Sequence, residues 1–192
     1  MRISNITKED KIKWWQGNLF EEDLIELAMT KAYRDLMRTI RSFATNINNN
    51  RIKTNARICI KEYINKMIKA NITTQKQFDI LHQEACENLI ENFEDQYFTI
   101  GQAQKWINMT FKYLHLLECE DIKNIYEFCH IPIDSYMLHI TNYQMSKPWS
   151  KLNDYTEYLQ YQEWFRNKYK DEIPLDAEFH LWLEEAKKSR KH

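Results

Sequence analysis

Glycine is almost missing from this chain of 192 residues: only Gly17 and Gly101 occur, beside three prolines at 132, 148 and 174. Glycine supplies the positive-φ geometry that tight turns need, so its scarcity argues against a meander of short strands and favours long helices. Cysteine pairing is lacking too. Cys59, Cys86, Cys119 and Cys129 are widely spaced with no C-x-x-C, which indicates reduced thiols rather than a disulfide framework. No apolar run reaches the length of a membrane span, and the opening stretch MRISNITKEDKIKWW has no uninterrupted apolar core of a signal peptide, so a cytoplasmic protein is expected. Equally absent are a P-loop, G-x-G-x-x-G, G-x-S-x-G and H-E-x-x-H, which speaks against nucleotide-driven chemistry.

What is present is core material: 43% of side chains are apolar and 14% aromatic, enough for one domain over residues 1–192. Leu24, Leu27, Ala28, Ala32, Leu36, Ile40 and Phe43 recur at spacings of three and four, which predicts an amphipathic helix over 20–43. The Asn-rich tract from Thr45 to Asn50 predicts a loop, and a second helix is expected over about 55–70. Thr73 or Thr74 is placed to cap a helix carrying Phe78, Leu81, Ala85, Leu89 and Phe93. Ala103, Trp106, Ile107, Thr110, Phe111, Leu114 and Leu117 continue the helical period over 102–118, with Lys105, Asn108, Lys112 and His115 on the opposite stripe. A short helix is expected from Asp121 to Phe128, another after the cap Asp134, and further ones over 153–170 and 174–189. The fold class is all-α, one compact domain of roughly seven to nine helices.

Charge is segregated along the chain. Residues 31–70 hold ten Lys and Arg against Asp35 and Glu62, a balance of +8, while residues 71–137 hold four Lys against eleven acids, a balance of −7. The basic block is either a footprint for phosphates or a solvated face that pairs with the acidic segment. His115, Cys119, Cys129 and His130 are of zinc-ligand type, but adjacent Cys-His residues diverge and no second pair supports them, so no metal is assigned. The tryptophans at 14, 15, 106, 149, 164 and 182 suit either the core or the stacking of bases.

Two stretches carry chemistry: Gly101-Gln-Ala-Gln-Lys105, opening a helix, and Ile131-Pro-Ile-Asp134, opening a later one. Together they resemble the helix-hairpin-helix DNA glycosylases of the 8-oxoguanine type, over about residues 95–140. In that family a hairpin glycine shortly precedes a lysine at the start of a helix, and a Pro-x-Asp element follows. Ala103 stands where the family has a second hairpin glycine. The resemblance implies that Lys105 is the nucleophile that attacks the sugar carbon and Asp134 the carboxylate that assists it. It also implies DNA contacts from Gly101, Gln102, Gln104 and Lys112, with Arg34, Arg38 and Arg41 of the basic block on phosphates.

The expected function is therefore excision of a modified or damaged base from DNA, with or without strand cleavage and without a cofactor, in a bacterial or phage-related setting. The alternative is a non-catalytic helical module that binds nucleic acid or protein. Geometry separates the two, because the enzyme needs the Lys105 amine and the Asp134 carboxylate in one concave site.

Overall fold

The computed structural model describes residues 23–40, 48–93 and 97–189. Among these residues the chain is helical without strands. Its α-helices are α1 (Leu24–Leu36), α2 (Asn48–Lys69), α3 (Gln75–Glu91), α4 (Ile100–Leu116), α5 (Ser135–Thr141), α6 (Tyr155–Lys168) and α7 (Pro174–Ser189). Short 3-10 turns lie at Met37–Thr39, Glu120–Ile122, Tyr126–Phe128 and Trp149–Lys151.

Caps written in the sequence set most of the starts. Thr74 and Thr99 each head a capping box, with Gln77 and Gln102 bonding back to the cap, while Asp23, Asp134 and Asp154 accept from the backbone of α1, α5 and α6. Asn142, at φ 53°, ends α5 in the left-handed conformation that asparagine tolerates.

α4 is the axis of the molecule, packed against α1, α3 and α6. Every residue from Gly101 to Thr110 is buried, so the helix has no solvated face over most of its length. Trp106 is wholly enclosed and donates its indole N–H to the Met29 carbonyl of α1 at 3.1 Å. The stripe of Lys105 and Asn108, polar in sequence, is consequently buried and must find partners inside the protein.

Several boundaries differ from the sequence reading. α2 begins at Asn48, because asparagines are accepted in a first turn whose N–H groups are unpaired anyway. The helix expected over 121–128 is two 3-10 turns, and α1 gives way to a 3-10 turn at Met37. Residues 20–22 and 41–43 of the first expected helix, residues 45–47 of the expected loop, and Trp14 and Trp15, lie outside the described residues. All four cysteines are free and buried, and no described helix is long and apolar enough to cross a membrane.

Candidate functional site

A cleft of about 910 Å³ opens where α1, α4, α5 and α7 converge. α4 lines it with Lys105, Met109, Lys112 and Leu116, at spacings of four, three and four that keep them on one helix face. α7 contributes Glu178, Phe179, Trp182 and Ala186 from one of its faces. Asp134, Ser135 and Tyr136 come from the start of α5, Asp35 from the end of α1, Thr39 from the 3-10 turn after it, and Trp149 from the 3-10 turn between α5 and α6.

Lys105 and Asp134 meet here. The Lys105 Nζ donates to Asp134 Oδ2 at 2.6 Å, with the lysine side chain 8% exposed and the aspartate 24% exposed. The second carboxylate oxygen, Oδ1, accepts from the Met137 N–H at 2.8 Å, so the N-cap of α5 and the ion pair share one carboxylate. Helix formation after Pro132 thereby fixes the direction in which Asp134 points.

A second pair lies in the same cleft and was not anticipated. Lys112 Nζ donates to Glu178 Oε2 at 2.5 Å, and the Glu178 side chain is only 2% exposed. Burial pushes the Glu178 carboxyl above its ordinary range, against the opposing pull of Lys112. The sequence did carry one sign of it. Glu178 sits three residues after Leu175 and four before Trp182, a position on the apolar stripe of α7 where an acid is out of place. Of the candidate stacking tryptophans, Trp149 and Trp182 line this cleft, and Tyr136, which packs on Trp182 with ring centroids 5.8 Å apart, and Phe179 join them unforeseen.

The residues expected to contact DNA are placed differently from one another. Gly101 is the second residue of α4 rather than part of an open hairpin, and its N–H donates to the Leu152 carbonyl at 2.9 Å. A Cβ at this position would stand 1.7 Å from the Trp149 carbonyl oxygen, so glycine is required by close approach of two backbones. Gln102 is buried in its capping box and reaches Thr39, while Gln104 is wholly buried and bonded to the Gly101 and Ile133 carbonyls. These three positions present no free face to a phosphate. Lys112 lies in the cleft against Glu178. Arg34 is exposed on α1, Arg38 falls in the 3-10 turn after it, and Arg41 lies outside the described residues.

The basic block pairs in part with the acidic segment, through Lys66 and Glu84, and in part with acids on or capping α1. Arg57 bonds Glu26 and Lys61 bonds Asp23 at 2.6 Å, both acids on or capping α1, and Lys66 meets Glu84 of α3 at 2.7 Å. The zinc-type residues also have other employment. His130 bonds Tyr158 and Asp79, and Cys129 Sγ donates to the Ile125 carbonyl. Among the described residues no three His, Cys, Asp or Glu side chains gather in a way that suits a metal ion.

Searches against protein-family models, curated proteins and solved structures return no match to this chain.

Proposed function

We propose that this chain is a DNA glycosylase-like enzyme, in which Lys105 is the nucleophile and Asp134 its carboxylate partner, acting on a modified or damaged base turned out of the duplex. One observation carries the reading: an amine and a carboxylate 2.6 Å apart, largely withdrawn from water, in a cleft walled by aromatic rings. The cleft is lined by two lysines against three acids, Asp35, Asp134 and Glu178. That balance repels a phosphate and suits an uncharged planar group, which the rings of Tyr136, Phe179 and Trp182 are placed to stack.

In the reaction, the Lys105 nitrogen lone pair forms a bond to the anomeric carbon of the sugar. The bond from that carbon to the base breaks, and the base departs with the electron pair. Asp134 takes the proton whose loss frees the Lys105 lone pair, passes it to the departing base, and as the regenerated carboxylate offsets the positive charge on the sugar. Loss of the ring oxygen bond then leaves an imine between Lys105 and the opened sugar. Phosphates stay outside the cleft, where Arg34 is exposed on the helix whose end reaches the rim.

The test is borohydride trapping with duplexes bearing an abasic site or one of a panel of modified bases. Wild type is expected to form a covalent adduct, and Lys105→Gln none. No adduct with any duplex removes the enzymatic reading. In that event the burial of Gly101, Gln102 and Gln104, which leaves the start of α4 without an open phosphate contact, favours a non-catalytic binding module.

A further inference from the structure

The segment from Cys129 to Ile133 is buried yet belongs to no helix, so its backbone polar groups need partners from elsewhere. Side-chain amides supply them. Gln162 of α6 accepts from the Ile131 N–H at 3.1 Å through Oε1 and donates to the Ile131 carbonyl at 2.9 Å through Nε2. Gln104 of α4 treats Ile133 in the same way, at 3.1 and 2.8 Å. A primary amide carries a donor and an acceptor side by side, as a peptide group does, so each glutamine makes the two-point bond that a neighbouring strand would make. Pro132, between the two clamped residues, has no N–H to satisfy.

Gln104 is held as firmly as it holds. Its Oε1 also accepts from Asn108 Nδ2 at 3.0 Å, and its Nε2 also donates to the Gly101 carbonyl at 2.9 Å, so every donor and acceptor of the amide is used. Reversing the amide would oppose like groups at all four contacts. Its neighbour in the chain is Lys105, and the neighbour of Ile133 is Asp134. The amide bonds and the ion pair are thus two adjacent rungs between the same two segments.

We infer that Gln104 is a positioning residue: by gripping both backbone groups of Ile133 it sets the register in which Asp134 meets Lys105. The inference rests on the glycosylase reading only for its effect on catalysis, since the register itself is a property of the free protein. Gln162 provides the contrast. It clamps the same segment with equal hydrogen bonding but three residues from Asp134, so a purely structural role predicts the same outcome for both glutamines.

Two measurements on the full chain test this. The first needs no substrate: the side-chain ¹⁵Nζ resonance of Lys105, whose ammonium protons are visible only while a hydrogen bond slows their exchange. Gln104→Met is expected to lose this signal as Asp134→Asn does, while Gln162→Met keeps it. The second is trapping on an abasic duplex, with Gln104→Met expected to be slower by about ten- to a hundredfold and Gln162→Met unchanged. If Gln104→Met proves unfolded, Gln104→Glu replaces it, since it keeps the acceptor and loses the donation to Ile133. A Lys105 signal that survives the Gln104 change, or that Gln162→Met also abolishes, overturns the inference whether or not any duplex is trapped. Failure of wild type to trap, with the signal lost only in the Gln104 variant, overturns the enzymatic reading and leaves the register assignment standing.

Discussion

Asp134 serves two masters with one carboxylate, and substitution separates them. Asparagine caps a helix about as well as aspartate, but it accepts no proton. Asp134→Asn is therefore expected to leave helix content unchanged by circular dichroism while trapping slows by about 10²- to 10⁴-fold. Trapping at the wild-type rate would remove Asp134 from the chemistry. Glu178 behaves otherwise, because it is enclosed far more completely than Asp134. Lys112→Met strands that carboxylate without its cation and is expected to destabilise the fold by about 3–5 kcal/mol at neutral pH in urea unfolding. Glu178 has its folded pKa raised by burial, so its charged form is the unfavourable one. Stability linked to it is fullest below the ordinary carboxylate range and falls as pH rises through the raised value. The Lys112→Met deficit should accordingly shrink as the pH is lowered, and the double variant Lys112→Met/Glu178→Leu should recover most of it. A deficit independent of pH would argue against a buried charge as its source.

At the scale of elements, the helices were legible where a periodic apolar face coincided with a cap, at Thr74 and at Asp134 after Pro132, whereas the Thr99 cap of α4 was passed over and its partner Gln102 was read as a DNA contact. Legibility failed where the environment overrode local preference. The polar stripe of α4 reads as a solvated face, yet helices surround it and turn Gln104, Lys105 and Asn108 inward. Gly101 shows how a correct choice of residue can conceal its reason. It reads as a turn glycine, but it is helical, and its missing side chain admits the Trp149 carbonyl. Gly101→Ala is expected to lower stability by at least the upper part of the usual 1–3 kcal/mol for overpacking, because backbone rather than a flexible side chain must give way (~3 kcal/mol). The urea midpoint measures it, and an alanine variant with the wild-type midpoint would contradict the close approach.

For the whole molecule, the pairing of Lys105 with Asp134 could be read from two short motifs, whereas the Lys112 and Glu178 pair spans 66 positions and no local pattern announces it. The polar layer on the far side of α4 was likewise unforeseen. His82 bonds Tyr155 and Asn108, and His130 bonds Tyr158 and Asp79, at 2.7 to 2.9 Å. The tautomers that suit Asn108 and Asp79 place the proton of each ring on Nε2, given by His82 to Asn108 and by His130 to Asp79, and leave the single Tyr155 hydroxyl proton between His82 Nδ1 and the Asp79 carbonyl. The geometry of an ion pair at His130 and Asp79 therefore holds a neutral imidazole: burial brings His130 down to about 4 despite the carboxylate. Burial, with His130 close by, also holds His82 well below its ordinary value. Both folded values lie under that of a free histidine, so the unfolded chain takes up protons first as pH falls. The stability linked to these two rings is complete above about 6.5 and declines from there toward about 4. His130 alone should remove on the order of 2 kcal/mol by pH 5. Urea midpoints measured at pH 7.5 and 5 are expected to differ in that direction in wild type and by less in His130→Gln. An equal midpoint at the two pH values would contradict the buried neutral pair.

The bond from the Gly101 N–H to the Leu152 carbonyl, together with the missing Cβ beside Trp149, welds one aromatic side of the cleft to the helix that bears the amine. Separating those two parts would leave the Gly101 N–H, a first-turn donor with no acceptor inside its own helix, without a partner. The opposite wall, α7, which carries Trp182, is joined to the same helix by side chains alone, through Lys112 and Glu178.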